Sequence, residues 1–408
     1  MRATSKKRGF TLPLTIAILV IIGFLVSSFY TMVKNERIES FRRFSDAQAI
    51  LELESGVNYA FYRMQNEHKP WRTDYLQHVS NDGNIHFSIS QLQDGAFASL
   101  KVFNHDSSRH FETHTGFIPS KRPALTLLAA QANLSLVGNA HIEGGIAVQN
   151  GGVSYSSHYK MRAEKEAFFD TVYVGDTLPY FDTLKFYPEF TRKQFAKIFE
   201  KDRCVFDGTE NVPQYLNCRI VTMQGDSRCN NCKVLADKVF IRGRANTTNA
   251  NIIARTISLK DSVLLSGTFF AQDTLEVSLN QNQDNLVNLI LQGQKTGDTE
   301  YTGIINIDKL NANNILILFM GDNWDETMKG IPVTIGEQVE IRGDIISRGM
   351  VNFSGKLTGQ MIAYHFGFYE EETLWRGFFR NGHIKSDTSV HTLLPDIIYL
   401  GGEASYEN

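Results

Sequence analysis

The segment VLADKVFI at residues 234–241 recurs as IIARTISL at 252–259 and as FFAQDTLEV at 269–277. Each copy contains two large apolar residues, an alanine, two or three polar residues, and then a run that alternates apolar and polar side chains. A period near 17 residues is too short for helical-hairpin repeats and too long for a β-hairpin. It is typical of one coil of a solenoid built from short strands and tight corners.

A small residue recurs at the third position of each copy. Ala236, Ala254 and Ala271 lie 18 and 17 residues apart, and Ser347 and Ala363 occupy the same position in weaker copies, 16 residues apart. We expect a small residue there because the chain turns a corner inside the stack, where no larger side chain fits. Glycine permits the positive φ angles of other corners. The glycines expected at such corners are Gly138, Gly144, Gly243, Gly267, Gly343, Gly349, Gly355 and Gly359.

The predicted fold class is therefore mainly β. Its main element is a right-handed β-solenoid (β-helix), with first coils over residues 123–153 and a longer stack over 218–365. The pattern of apolar, small and glycine residues is similar to that of right-handed β-helices. A β-sandwich is the alternative. The tail, residues 366–408, is predicted to cap the open end, as repeat stacks require.

Residues 154–217 interrupt the repeats and are predicted to be a helical, aromatic-rich insertion, with short helices at 160–169 and 188–201. Aromatic side chains can line a sugar-binding face, but they more often pack an inserted segment against its scaffold, so packing is favoured. The aromatic residues concerned are Phe168, Phe169, Tyr173, Tyr180, Phe181, Phe186, Tyr187, Phe190, Phe195 and Phe199.

Residues 67–122 are predicted to form a small antiparallel β domain, because turn-forming residues separate three β-rich runs. These runs lie at 85–90, 96–103 and 109–117. Three histidines in this region suggest a zinc site, but no cysteine lies nearby, and a solvated strand face is the favoured interpretation. They are His105, His110 and His114.

Near the N-terminus, residues 11–33 contain no charged side chain. A helix rises about 1.5 Å per residue, so this run is long enough to cross a hydrocarbon core of about 30 Å. A secretory signal peptide has a shorter apolar centre of about 7–15 residues. Basic residues precede the run without any acidic residue, which predicts a cytoplasmic N-terminus. Residues 34–65 continue as an amphipathic helix.

The stretch KKRGFTLPL, residues 6–14, resembles the prepilin-peptidase site of type IV pilins and type II secretion pseudopilins. The resemblance implies a basic leader over residues 1–9, cleavage after Gly9, methylation of Phe10, and a pilin-like helix over residues 10–66. Leu14 stands where that family usually has Glu, and the minor pseudopilins of the filament tip also lack this Glu. An uncleaved single-pass anchor is the alternative.

A second stretch, residues 47–60, resembles the segment that follows the membrane helix in tip-type minor pilins and pseudopilins. Together the two stretches imply a single-pass protein of the bacterial inner membrane, with its bulk in the periplasm or at the cell surface. The implied partners are the membrane and prepilin peptidase, with other pilins or pseudopilins and polysaccharide as further candidates. The predicted function is structural or adhesive, and the alternative is a membrane-tethered protein that binds or degrades polysaccharide.

Four cysteines, Cys204, Cys218, Cys229 and Cys232, lie close together in the sequence. Their spacing is compatible with a zinc cluster, or with a redox pair formed by the last two. An exported, oxidising location favours two structural disulfides instead, so no metal is predicted. All three possible pairings remain open.

No catalytic motif is present: the sequence lacks a G-x-S-x-G elbow, an H-E-x-x-H pair, a P-loop and a dinucleotide-binding fingerprint. We therefore predict neither an enzyme nor a cofactor. The formal net charge of −3 does not favour nucleic acid as a partner. One set of charged residues could be arranged as a lyase-like cluster, although a solvated face is favoured. It comprises Asp237, Arg242, Arg255, Asp261 and Asp273.

Overall fold

The structure is a computed structural model, and the chain forms two compact units. The first unit contains residues 1–69, 75–88 and 101–113, and the second contains residues 70–74, 89–100 and 114–408. The residues that the structure describes are 11–66, 77–78, 85–91, 98–104, 111–117, 123–130, 133–158, 161–175, 184–186, 199–295, 301–321, 330–387, 392, 394 and 398–400.

The first unit contains one long helix, α1 (Thr11–Asn66). Pro13 lies in its first turn, where the missing N–H removes no helical hydrogen bond. Large apolar side chains from Ile16 to Met32 are exposed, and Leu53 and Ala60 near the C-terminal end are buried. Within the described residues, α1 is the one helix long and apolar enough to cross a membrane.

A four-stranded sheet follows α1 in the sequence, in the order β1-β2-β3-β4, and β1 pairs antiparallel with β2. Its strands correspond to the three predicted β-rich runs, preceded by a two-residue strand. They are β1 (Gln77–His78), β2 (Ile85–Gln91), β3 (Ala98–Asn104) and β4 (Phe111–Phe117).

The second unit is built from strands. The first ten after β4 are β5 (Leu125–Leu127), β6 (Leu134–Val137), β7 (His141–Glu143), β8 (Ile146–Val148), β9 (Val153–Tyr155), β10 (Ser157–His158), β11 (Met161–Arg162), β12 (Phe168–Phe169), β13 (Val172–Val174) and β14 (Leu184–Phe186). The next nine are β15 (Lys201–Phe206), β16 (Tyr215–Met223), β17 (Arg228–Asn230), β18 (Lys233–Ile241), β19 (Asn246–Thr248), β20 (Ala250–Asp261), β21 (Gly267–Gln283), β22 (Val287–Leu291) and β23 (Gln294–Lys295). The last eight are β24 (Tyr301–Thr302), β25 (Ile304–Phe319), β26 (Val333–Phe353), β27 (Lys356–Glu370), β28 (Thr373–Arg376), β29 (Phe378–Arg380), β30 (His383–Lys385) and β31 (Ile398–Leu400).

Sixteen of the described strands form the main sheet, and its central path runs β12-β7-β30-β27-β26-β25-β22-β21-β20-β18-β16-β15. The pairings along this path are parallel, whereas a β-sandwich pairs its strands antiparallel. The repeats found in the sequence lie on adjacent strands: Val234 pairs with Ile252, and Ile252 pairs with Phe269. The sequence period therefore equals the step from one strand to the next.

One ladder of stacked apolar residues extends across the main sheet and forms part of the core. All of its members are buried except the last, which is half-buried. From β16 to β13 the ladder consists of Leu216, Val234, Ile252, Phe269, Leu289, Ile317, Ile345, Met361, Leu125, Ile146 and Val172. Each large apolar side chain buried in this way contributes about 1.5–3 kcal/mol, so stacking alone supplies a substantial core.

The small-residue ladder lies in the predicted register, with Ala236 beside Ala254 and Ala254 beside Ala271. The steric explanation for it is wrong, because the same ladder continues through Leu291 and Phe319 before it reaches Ser347 and Ala363. Glycine makes the room for Phe319. A Cβ atom on Gly321 or Gly349 would collide with the Phe319 ring.

Of the eight glycines expected to have positive φ angles at corners, six do. Gly349 and Gly355 do not have positive φ, whereas the other six do. Gly355 faces the backbone oxygens of Val339 and Gly336 closely enough to leave no space for a Cβ atom. At these two positions glycine is needed for space and not for a left-handed conformation.

The first strands of the second unit pair with the last ones. Leu125 in β5 pairs with Met361 in β27, and Ile142 in β7 pairs with Ile384 in β30. Strand β30 therefore lies between β27 and β7. This strand belongs to the segment predicted as the terminal cap, and its apolar Ile384 lies in a second ladder, between Leu357 and Ile142.

The helices predicted within residues 154–217 are wrong where they can be compared. Residues 161–162 and 168–169 are strands β11 and β12, and β12 pairs parallel with β7. Phe169 packs against the core, and this tertiary contact overrides the helix-favouring Ala, Glu and Lys before it. The second predicted helix falls largely on residues 187–198, outside the described residues, and Lys201 begins β15.

Candidate functional site

All four cysteines form disulfides. Cys204 on β15 is bonded to Cys218 on the neighbouring β16, with Cα atoms 6.2 Å apart. Cys229 is bonded to Cys232 across a short loop, with Cα atoms 5.6 Å apart. Cys218, Cys229 and Cys232 are buried in the core cluster. Burial and pairing indicate a structural role at the β15 edge of the main sheet.

No group of three His, Cys, Asp or Glu side chains that could hold a metal ion occurs within the described residues. The histidines of the zinc hypothesis cannot be compared: His105 and His110 lie outside the described residues, and His114 lies on β4 with its side chain undescribed. Gly9 and Phe10 of the implied processing site also lie outside them.

Three of the five charged residues considered as a lyase-like cluster form a ladder of ion pairs. Arg255 Nε lies 2.8 Å from Asp237 Oδ1 and 4.0 Å from Asp273 Oδ2. Arg219 continues the ladder, with its Nε 2.6 Å from Asp202 Oδ1. Acidic and basic residues therefore alternate on successive strands, which avoids like charges directly opposite each other.

The other two members of that set are placed elsewhere. Arg242 donates hydrogen bonds to Gln224 Oε1 at 2.6 and 3.1 Å, and Asp261 accepts one from the Gly243 backbone N–H at 3.1 Å. The set does not converge on one point. Its geometry is that of a solvated, charge-paired strand face, as the sequence favoured.

A concave surface lies where β7 and β12, from the early part of the second unit, meet β30, from its late part. His383 on β30 pairs with His141 on β7, and His141 pairs with Phe168 on β12. Their chain neighbours Ile384 and Ile142 are buried, so alternation directs the two histidines to the opposite, outer face. The site therefore follows from strand register.

Three rings form a row across these strands. The His141 and His383 ring centroids are 5.8 Å apart and stacked, and those of His141 and Phe168 are 5.0 Å apart with a tilt of 32°. The pKa of His383 is lowered, chiefly by burial and further by the neighbouring His141 and Lys356. Phe168 remains 41% exposed on β12, the last strand of the central path.

Polar groups flank the ring row. His141 Nε2 and Glu143 Oε1 are hydrogen-bonded at 2.9 Å, and Lys385 Nζ lies 3.2 Å from Glu143 Oε2. Hydrogen bonding with His141, and then with Lys385, holds the pKa of Glu143 below its ordinary value. Asp170 accepts backbone N–H bonds from Thr171 at 2.7 Å and from Gly144 at 3.3 Å, which lower its pKa. Both carboxylates are therefore ionised near neutral pH.

These groups line an open cleft of about 470 Å³, which we call the junction cleft. Its lining residues are His141, Glu143, Gly144, Phe168, Asp170, Lys385 and Ser386. It combines an exposed apolar ring with two carboxylates and one ammonium group, a set that suits reversible binding of a small polar molecule.

Of this set, sequence reasoning singled out Phe168, within the aromatic-rich segment, and Gly144, as a corner glycine, but it predicted a site at neither. Phe169 packs against the core and Phe199 against a second apolar cluster, as the packing interpretation predicts, whereas Phe168 and Tyr173 are exposed. The remaining cleft residues come from segments far apart in the chain. Comparisons with protein-family models, curated proteins and solved structures return no match for this chain.

Proposed function

We propose that this chain is a membrane-anchored structural or adhesive protein of the bacterial envelope. In this proposal it is a minor, tip-type pilin-like component that displays a right-handed β-solenoid outside the inner membrane. The N-terminus lies in the cytoplasm, prepilin peptidase cleaves after Gly9, and Phe10 is methylated.

The exposure of the apolar half of α1 carries the proposal. Phe24 is 74% exposed and Leu25 64%, and their apolar neighbours from Ile16 to Tyr30 are similarly open. Leaving such a side chain in water instead of an apolar environment costs about 1.5–3 kcal/mol. A run of them therefore needs an apolar surrounding, and a bilayer of about 30 Å supplies it over the length of this segment.

The helix beyond the membrane-length segment supports other pilins or pseudopilins as partners. Ile38, Phe41, Phe44 and Leu51 are exposed at steps of three and seven residues, which places them along one side of the helix. Their surface suits packing against a second amphipathic helix. Leu14 in place of the usual Glu favours a component that is present once over one that polymerises with itself.

Strand register supports the solenoid. Consecutive strands pair in parallel with a step near the sequence period, and one apolar ladder crosses the sheet from Leu216 to Val172. Parallel crossovers within one sheet are right-handed in about 98% of cases, which is the basis for the proposed hand.

Processing tests the pilin-like assignment. We expect protein extracted from the native membrane to begin at N-methylated Phe10 by intact mass, and Gly9→Val to retain residues 1–9. Gly23→Val is the matched control, because Gly23 lies in the same apolar helix and a Cβ atom added to it would have no neighbour within 4 Å. This control should be processed like the wild type. A wild-type chain that keeps its leader would remove the pilin-like assignment and leave the anchor.

Copy number tests the tip-type role. Quantitative mass spectrometry of purified filaments or envelope complexes should find this chain at a few copies per assembly, with antibody labelling confined to the ends. Continuous labelling along a filament, with this chain as the main subunit, would contradict a role at the tip.

A further inference from the structure

We propose that the junction cleft binds a neutral hexopyranose unit of a polysaccharide, with the sugar stacked on Phe168 and a hydroxyl group bonded to Asp170, which directly follows the strand of Phe168. This adds a specific binding site, with a defined ligand class, to the structural role proposed above.

The ring row identifies where the ligand stacks. Its rings are spaced 5.8 and 5.0 Å apart from His383 to Phe168, and Phe168 lies on the last strand of the central path. One side of the Phe168 ring faces His141, so its opposite side is the next position in the row. The apolar C–H face of a pyranose is a suitable partner for an aromatic ring face, which carries partial negative charge.

The carboxylates are held in place before any ligand binds. Asp170 is fixed by the backbone N–H groups of Thr171 and Gly144, and Glu143 is fixed by His141 and Lys385. Each Asp170 oxygen has a second lone pair, so it can still accept a hydrogen bond from a hydroxyl group, whereas Glu143 lies on the His141 side of Phe168 and adds only its negative charge. A preorganised acceptor loses little conformational entropy on binding.

Charge selects among carbohydrates. The cleft contains two ionised carboxylates and one ammonium group, and Lys385 is already paired with Glu143. A uronate or a phosphorylated sugar would therefore meet a like charge at Asp170, whereas a neutral sugar would not. The volume of about 470 Å³ lies within the range of about 300–1,000 Å³ that is usual for ligand sites, and the open form accepts a unit of a longer chain.

The test uses the full-length chain in detergent and a panel of neutral glucan, galactan and chitin oligosaccharides, with oligogalacturonate as the acidic comparison. We expect saturable binding of at least one neutral oligosaccharide by calorimetry, and weaker binding of oligogalacturonate. Phe168→Ala should weaken the neutral interaction about tenfold, and Phe168→Trp should preserve it because the larger ring retains the stacking face.

Tyr215→Ala is the matched control, since Tyr215 is an exposed aromatic on β16 near the opposite edge of the main sheet. It should leave affinity unchanged, whereas Asp170→Asn should reduce it. The proposal is overturned if no neutral oligosaccharide binds the wild type, if Phe168→Ala binds as well as the wild type, or if the acidic oligosaccharide binds more tightly.

Discussion

The two edges of the main sheet are built from the same parallel ladder, but their strands are related differently in sequence. At the disulfide edge, β15, β16, β18 and β20 are neighbours in the sheet and follow one another in chain order, with only the short strands β17 and β19 between them. At the junction edge, strands from residues 123–175 pair with strands from residues 356–385, and the Asn139 backbone N–H donates to Asn381 Oδ1 across 242 positions. The first edge can form locally, whereas the second requires the end of the chain.

The largest effect is expected from a truncation that breaks only the junction edge. Ending the chain after Glu370 removes β29 and β30, the partners of β6 and β7. Amides in β6 and β7 should then lose their protection from hydrogen exchange, because their backbone bonds across the junction are gone. Amides in β16, β18 and β20 serve as the internal control and should remain protected. Loss of protection across both edges alike would contradict this independence.

Phe319→Ala should be the most damaging single substitution in the small-residue ladder. The ring is fully buried, and removing it leaves a cavity bounded by Gly321 and Gly349, at a cost of about 3–5 kcal/mol. Ala254→Gly in the same ladder should cost only about 0.5–1 kcal/mol. Denaturant unfolding followed by circular dichroism compares the two variants. Equal losses would show that the ladder does not pack as described.

Removing a disulfide should affect the disulfide edge. Cys204→Ala combined with Cys218→Ala opens a loop with a separation of 14 residues and should cost about 3 kcal/mol. The Cys229–Cys232 pair closes a loop with a separation of 3 and should cost about 2 kcal/mol. The wild type, prepared without reductant, should show no thiol that reacts with an alkylating agent. Quantitative alkylation of all four cysteines would contradict the pairing.

Acid should produce the smallest effect, and at both edges. Hydrogen bonds lower the pKa values of Glu143 and Asp170 at the junction edge and of Asp202 at the disulfide edge. A lowered folded-state pKa contributes stability above the ordinary values of 4.5 for Glu and 3.8 for Asp, and this stability is lost as pH falls through the folded-state pKa. The melting temperature should therefore decrease slightly as the pH is lowered below about 4.5.

Glu143→Gln isolates the junction contribution, because a neutral amide does not titrate. This variant should show a smaller acid-induced drop in melting temperature than the wild type. An identical drop would mean that Glu143 does not contribute to the effect.

The difference between the two edges also determines which strand pairings can be predicted from the sequence. Around Ala236 and Ala254 the period of the repeat equals the strand step, so the register of the disulfide edge is readable directly. The pairing of Leu125 with Met361 leaves no such signal, because nothing in either segment specifies its distant partner. The helix predicted at 160–169 is wrong for the same reason, because β12 forms through its contact with the distant strand β7.

The junction cleft could not be predicted from the sequence for the same reason. His141 and Glu143 lie on β7, Phe168 on β12 and Lys385 on β30, so only the fold brings them together. Phe168 was recognisable as one of many aromatics, but its exposure depends on its place on the last strand of the central path. The disulfides were the easier prediction, because four clustered cysteines and an apolar N-terminal helix suggest them without knowledge of the fold.

At the junction edge, distant segments of the chain pair in one continuous sheet. Neighbouring parallel strands are about 4.8 Å apart, within the Cα range of about 4.4–6.8 Å for a disulfide, and alternate strands are about twice as far apart. Oxidation of His141→Cys with His383→Cys should therefore form a cross-link that peptide mapping detects. The control pair, His141→Cys with Lys356→Cys, lies two strands apart and should not form one. Absence of the first cross-link, or equal yields for both pairs, would contradict the account.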